Sequence, residues 1–193
     1  MLHVKEKETV AVNCMLQLHK TLYDNGAALR GILGLIQSTK PAVVVVVEQE
    51  ANHNDQIFEG RFLQALQYYS AIFDSIDANL PSDSPARLKM EQFFAREIRN
   101  IIACEGPERI ERHEKFEHWK QMMEEGGFTA VPLGEREHCQ ARILLDMFPC
   151  KNYRVKLEDG RLTLGWLDQP LYTASAWAPQ EGGNGGASTS SPA

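Results

Sequence analysis

The chain has 193 residues, 43% of them hydrophobic and 24% charged, with a formal net charge of −6. That length suits one domain with a sizeable core, and the acidic balance disfavours a free-standing module held to nucleic-acid phosphates. No run approaches the roughly eighteen apolar residues of a membrane span, and the opening "MLHVKEKETV" carries no apolar signal core.

In chain order, "ETVAVN" (Glu8–Asn13) reads as a short buried strand and "CMLQLHKTLY" as helical. "GAALRGILGLIQSTK" (Gly26–Lys40) places Leu29, Ile32, Leu33 and Ile36 on one helical stripe, and Pro41 stops it. "AVVVVVEQE" follows. Five valines without alternation predict a strand covered on both faces, as in a central parallel strand flanked by helices. A long helix is expected from Ile57 to about Asp77, with Phe58, Phe62, Leu66, Tyr69, Phe73 and Ile76 on its apolar side. Ser84 before Pro85 reads as the N-cap of the next helix, which ends at Gly106. "PERIERHEKFEHWKQMMEEGG" (Pro107–Gly127) starts on proline and stops on two glycines, so a further helix is expected there. "FTAVPL" is a strand and "REHCQARILLDMF" a helix. "NYRVKLEDGRLTLGW" is a β-hairpin turning on Asp159-Gly160, and "LYTASAW" is a last strand. The Gly/Ser/Pro-rich residues 178–193 read as a disordered tail, so the folded unit is expected over 1–177.

Helix-linked apolar strands imply an α/β fold with a mostly parallel sheet and an antiparallel C-terminal hairpin. The order of elements looks like the second half of a doubly wound sheet. The chain therefore reads either as a fragment or as a natural short protein.

Several residue constellations bear on chemistry. The four cysteines, Cys14, Cys104, Cys139 and Cys150, form no C-x-x-C pair; free thiols and a reducing compartment follow, with little support for zinc. "HEKFEH" (His113–His118) resembles H-E-x-x-H with one residue too many. On a helix its imidazoles sit about 140° apart and share no metal, so a solvated charged face is the expectation. "GGNGG" (Gly182–Gly186) lies in the tail and opens no helix, so it cradles no phosphate. "VEQEANHN" puts Glu48, Glu50, His53 and Asn54 at the carboxyl end of the valine strand, where open α/β sheets bind ligands. The competing reading is that they cap the next helix and satisfy loop backbone. "REIRN" (Arg96–Asn100) reads either as surface ion pairs or, through Arg96 or Glu97, as a tie between helix and sheet. Trp119, Trp166 and Trp177 are expected in core or interface packing. No Ser-His-Asp, Cys-His or G-x-S-x-G arrangement can be placed, so no nucleophile is named.

Taken together these segments resemble the plant GRAS family of transcriptional regulators. Pro41, the aromatic helix around "RFLQALQYYSAIFDS" with Tyr69, and "REIRN" with Arg96 and Glu97 match its PFYRE region. "ACEGPERIERHEKFEHW" with Arg109, Glu111 and Trp119, then "LGW" with Trp166 and "TASAW" with Ser175, Ala176 and Trp177, match its SAW region. The resemblance covers nearly all of residues 1–177. It is strongest to a SCARECROW-like branch, with the DELLA repressors next. The family's leucine-rich and VHIID segments would precede residue 1.

The resemblance implies a Rossmann-like fold similar to S-adenosylmethionine-dependent methyltransferases. It implies a nuclear, non-enzymatic co-regulator without a cofactor, metal or catalytic residue. Such a protein is recruited by DNA-binding transcription factors of zinc-finger, basic-zipper or MYB type, and pairs with another GRAS protein, in hormone-linked growth control. Direct DNA contact stays open, and no membrane is involved. Two other readings stand beside it: a methyltransferase using S-adenosylmethionine, supported by fold analogy alone, and a non-functional truncated product. Trp177 is expected to lock the last strand against the core together with Trp166.

Overall fold

The computed structural model describes residues 7–180. In chain order the elements are β1 (Ala11–Met15), α1 (Ala27–Ser38), β2 (Val43–Gln49), α2 (Phe58–Asn79), α3 (Pro85–Ala103), α4 (Phe116–Glu125), β3 (Phe128–Val131), α5 (Glu135–Asp146), β4 (Tyr153–Glu158), β5 (Arg161–Trp166) and β6 (Gln169–Pro179). A 3-10 turn, Leu18–Thr21, follows β1 where a longer helix was expected.

The α/β architecture is as expected, but the sheet is not mostly parallel. Its order is β1-β2-β6-β5-β4, with β3 also on β6. Among the described residues only β1–β2 is parallel; β2–β6, β3–β6, β5–β6 and β4–β5 are antiparallel. The reason lies in β6. Entering from the antiparallel β4–β5 hairpin, it lies directly against the valine strand. "LYTASAW" is therefore an interior strand and not an edge. Eleven residues long, β6 pairs with β2 on one side, and with β5 and then β3 in succession on the other. It also reaches Pro179, past the expected boundary at Trp177, through the pairs Phe128–Pro179 and Thr129–Ala178. The tail from 181, including Gly182–Gly186, lies outside the described residues.

Strand periodicity decides what β2 buries. Val44, Val46 and Glu48 are buried and lie opposite Trp177, Ser175 and Thr173 of β6, whereas Val43, Val45 and Val47 are only half-buried. One apolar cluster joins Val44, Val46 and Trp177 to Leu29 and Leu33 of α1 and Trp119 of α4. A second joins Tyr68, Tyr69 and Ile72 of α2 to Phe94 and Ile101 of α3 and Trp166 of β5. Trp166 and Trp177 therefore serve different clusters, contrary to the expected pairing. Trp177 faces Phe116, with centroids 6.5 Å apart, and Trp166 packs on Tyr153 at 4.8 Å.

The helices agree unevenly with the periodic pattern. On α1, Leu29 and Leu33 are buried as expected. Ser84 caps α3 by accepting from the Arg87 N–H at 3.5 Å, with Pro85 in the first turn. On α2 the expected apolar face holds in the second half, where Tyr69 and Ile76 are buried and Phe73 packs against the core, but not in the first: Phe58, Phe62 and Leu66 are exposed, while Arg61, Ala65 and Tyr68 face inward, with Ile72 beyond them. Arg61 draws that face in because three acceptors await it: the Ile101 and Asp55 carbonyls at 2.8 and 2.9 Å, and the Glu105 carboxylate. The hairpin turns at Asp159 and Gly160, both with positive φ, as the Asp-Gly signal requires.

The largest correction concerns Pro107–Gly127. Only Phe116–Glu125 is α-helix; a single 3-10 turn covers Gly106–Glu108, and Arg109–Lys115 is not helical. Arg109, Glu111, Arg112 and His113 are buried. The solvated charged helix face predicted for "RIERHE" and "HEKFEH" is thus a buried, irregular strap. Helix is blocked because the backbone N–H groups of Ile110 and Glu111 are taken by Asn100 Oδ1, at 2.8 and 2.9 Å.

Candidate functional site

The strap meets the carboxyl end of β2 and the 3-10 turn after β1, and there the buried polar side chains gather. Glu48 ends the inward-facing valine row. One carboxylate oxygen accepts the N–H groups of Gln17 and Leu18, at 3.0 and 2.7 Å, and so fixes the start of the turn. The other lies 2.7 Å from His19 Nδ1. His19 Nε2 in turn lies 2.9 Å from Glu111 Oε2 of the strap. His113 lies beside His19 with ring centroids 4.2 Å apart and the planes tilted by 33°, and its Nε2 approaches the same Glu111 oxygen at 3.5 Å. His53 closes the group. Its Nδ1 is 3.0 Å from His113 Nδ1, and its N–H donates to the His113 carbonyl at 2.9 Å.

Two arginines brace the strap. Arg109 donates to the His53 carbonyl at 3.1 Å. Arg112 donates to Asn54 Oδ1 and to the Gly106 carbonyl at 2.9 and 2.8 Å. A further polar pair sits nearby: Tyr69 O–H donates to Glu97 Oε2 at 2.9 Å, and the Gln49 amide donates to the same oxygen at 3.3 Å.

Burial sorts the protonation states. Burial alone pulls the His19 pKa down, but the Glu111 and Glu48 carboxylates bonded to its two nitrogens outweigh it, leaving it raised. His53 lacks such a partner, and burial takes it down to about 4. Complete burial pushes His113 well below the ordinary imidazole value, with the charges of His19 and His53 adding to it. Burial raises the Glu97 carboxyl, partly offset by the Tyr69 hydrogen bond.

The residues expected at a strand-end cleft are therefore spent differently. Glu48 and His53 are buried inside the polar cluster. Glu50 is half-buried and accepts the Phe116 N–H and the Thr173 hydroxyl. Asn54 lines a cavity of about 400 Å³ between α1 and α4, shared with Arg30, Arg112 and His118, and Glu50 borders a separate one of about 260 Å³ with Gln64, Tyr68 and Lys115. Satisfying backbone and neighbouring polar groups, the competing reading, describes Glu48 and His53, which line neither cavity, better than a ligand cleft does.

The two motif sets fare alike. Of the first, Pro41, Tyr69 and Glu97 are buried and Arg96 is exposed. The tie between helix and sheet runs through Glu97 to Gln49, and Asn100 serves the strap instead of Arg96. Of the second, Arg109, Glu111, Trp119, Trp166, Ser175, Ala176 and Trp177 are all buried. The indoles are satisfied as well: Trp166 donates to Asp74 at 2.7 Å, Trp177 to Ser175 at 2.9 Å and Trp119 to the Glu114 carbonyl at 3.0 Å. The sequence pattern does not single out His19, Arg61 or Arg112, and it puts His113 on a solvated face although it is buried. For the strap a signal existed: Arg109, Glu111 and His113 recur with period two, the spacing of extended backbone.

Comparison with known proteins agrees with this geometry. The GRAS domain family profile matches residues 1–178. Scarecrow-like protein 28 of Arabidopsis thaliana is 51% identical over 95% of this chain and 30% of its own length. Protein DWARF AND LOW-TILLERING of Oryza sativa subsp. japonica is 50% identical over 98% of this chain and 32% of its own. A crystal structure of SCL7 from Oryza sativa superposes with a TM-score of 0.84 at 39% identity, covering 90% of this chain and 49% of that one. The chain thus spans about a third of the length of these curated relatives. DELLA proteins match at lower identity, 40% for GAIP of Cucurbita maxima, in keeping with the SCARECROW-like resemblance. With the motif order, the fold and the profile match over residues 1–178 in agreement, this chain belongs to the GRAS domain family.

Proposed function

We propose that this chain is part of a nuclear transcriptional co-regulator of plant growth. It acts by binding DNA-binding transcription factors, with another GRAS protein as a second class of partner, and takes part in hormone-linked development. It works as a non-enzymatic scaffold.

One observation carries the reading. The family motif residues, Arg96 excepted, are consumed in building the fold, as buried tryptophans and closed hydrogen-bond pairs. Residues spent this way hold a shape and leave the surface to act. That surface includes a run of apolar side chains on and just after α5: Ile143, Leu144, Met147 and Phe148 are 59%, 60%, 77% and 60% exposed. Clustered exposed apolar residues suit protein partners better than phosphate, as does the net charge of −6.

The test tethers the chain to a heterologous DNA-binding domain in plant nuclei and reads a reporter beside its cognate site. A change in reporter output is expected. Replacing Ile143, Leu144 and Phe148 by Asp should abolish it without lowering the unfolding midpoint. An unaltered reporter together with a gel shift of naked DNA by the chain itself would overturn the reading. In the same preparation, titration with S-adenosylmethionine should give no saturable heat; a saturable isotherm would favour the methyltransferase reading.

A further inference from the structure

The His19–Glu111–His113 group contains more buried negative charge and more unmatched lone pairs than its protons can satisfy. A neutral imidazole has one N–H. If His113 carries it on Nδ1, toward His53, then its bare Nε2 faces the Glu111 carboxylate. If it carries it on Nε2, the bond to Glu111 spans 3.5 Å, at the edge of hydrogen-bonding range, and His53 must donate from Nδ1, which leaves a buried bare Nε2 on His53. Indeed His113 Nε2 and His53 Nε2 are both buried without a hydrogen-bond partner among the described residues. Glu48 and Glu111 bring two carboxylates to one imidazole, a net negative charge in a group whose members are at most 8% exposed. Burying unbalanced charge is costly.

We propose that His19, Glu111 and His113 bind one zinc ion through His19 Nε2, Glu111 Oε2 and His113 Nε2. Two imidazole nitrogens and a carboxylate form a donor set that zinc takes readily. The donor atoms already stand near the required spacing. In a tetrahedral site with metal–ligand bonds of about 2.0–2.1 Å, ligand atoms lie about 3.3 Å apart. The two distances to Glu111 Oε2, 2.9 and 3.5 Å, bracket that value, and all three atoms lie within 4.8 Å of one another.

Each ligand is held from behind. Glu48 holds the Nδ1 side of His19, so that Nε2 becomes the free lone pair once its proton leaves, which is the carboxylate–histidine arrangement that orients metal ligands. His53 does the same for His113 Nδ1, and Asn100 pins the Glu111 backbone. A dication displaces the His19 Nε2 proton to solvent, balances the two carboxylates and uses the stranded His113 nitrogen. Its structural effect is a clip. The turn after β1 and the strap before α4 lie 92 residues apart in the chain at the His19–Glu111 contact.

Helical spacing does not apply at "HEKFEH": His113 is not on a helix, and its companion is His19 and not His118.

The test uses the whole chain, purified without added zinc and freed of any histidine tag. Elemental analysis should give about one zinc per chain. After chelation, cobalt should restore one equivalent with the intense visible bands of a four-coordinate ion. His113→Ala and Glu111→Gln should each reduce both signals to background. His118→Asn, which alters an exposed imidazole, should leave them unchanged. Zinc at background in the folded wild-type chain with no cobalt bands would overturn the assignment, as would full retention of the ion in both ligand variants. A wild-type unfolding midpoint that falls on chelation and recovers with zinc is the expected thermodynamic counterpart.

Discussion

Trp177→Ala is expected to cost about 3–5 kcal/mol, the range for deleting a fully buried Trp from a core. Trp177 is 0% exposed, faces Phe116, stands opposite Val44 across the β2–β6 ladder and pairs with Ala130 of β3. The cavity would open where β2, β3 and β6 meet α4, and Ser175 would lose its indole donor. Against a total stability of about 5–15 kcal/mol, that is a large share. With a urea slope of about 2 kcal/mol/M, the midpoint should fall by about 2 M with little change in slope. Urea unfolding followed by circular dichroism measures this directly. A drop below about 0.5 M, from the same slope, would refute the placement of Trp177 in the core. The two-cluster arrangement adds a sharper check. Gln169, the β6 partner of Trp166, lies eight residues along β6 from Trp177, about 25 Å of strand. Trp166→Phe and Trp177→Phe should therefore add to within about 0.5 kcal/mol, whereas Trp177→Phe and Phe116→Leu should couple. Strong coupling between the two tryptophans would restore the single-lock picture suggested by the sequence.

Arg61→Met should destabilise by about 2–5 kcal/mol, because the buried Ile101 carbonyl loses its donor and the Asp55 carbonyl loses one as well; a loss under about 0.5 kcal/mol in urea would show that water replaces the guanidinium. Glu97 has its carboxyl pKa raised by burial, so the folded state holds an extra proton between the ordinary carboxylate value and the raised one. Stability contributed there is complete at low pH and is lost as pH rises through that window. Glu97→Gln, which keeps an acceptor for Tyr69 of α2 beside Gln49 of β2 and removes the titration, should flatten the slope of unfolding midpoint against pH. An unchanged slope would place the titration elsewhere, with Glu111 and His19 as the other charges acting on this carboxyl. Gly160→Ala should cost about 1–2 kcal/mol, since φ is +73° and a Cβ would stand 2.9 Å from Pro132 Cβ; a neutral effect on thermal midpoint would mean the turn relaxes away from the β3–α5 loop.

The chain also shows how a motif can be recognisable without being a site. "SAW" reads as three letters, yet Ser175 exists for Trp177 Nε1, Trp177 for the α1–α4 face of the core, and Ala176 for a position opposite Val45 in an interior ladder. Arg109 and Glu111 belong to a strap whose shape is set by Asn100, ten residues upstream of Ile110 in another element. Residues of this kind tolerate little change because several neighbours depend on each, whatever the surface outside does.

By itself the sequence determined what is local. Apolar period marked α1, the valine run marked β2, Ser84-Pro85 marked the start of α3 and Asp159-Gly160 the hairpin turn, because each signal acts through backbone sterics or a hydrogen bond a few residues away. The tertiary structure decided everything that depends on distant partners. It turned α2 by its buried Arg61, which has charge enough to look exposed but finds acceptors 40 and 44 residues on. It made β6 an interior strand, since pairing direction depends on which strands arrive beside it. It held Arg109–Lys115 out of a helix and brought Glu111 and His113 to His19, because an amide 10 or 11 residues away occupies the backbone N–H groups of Ile110 and Glu111. Sequence spacing sets geometry only within a regular element; outside one, long-range contacts set it.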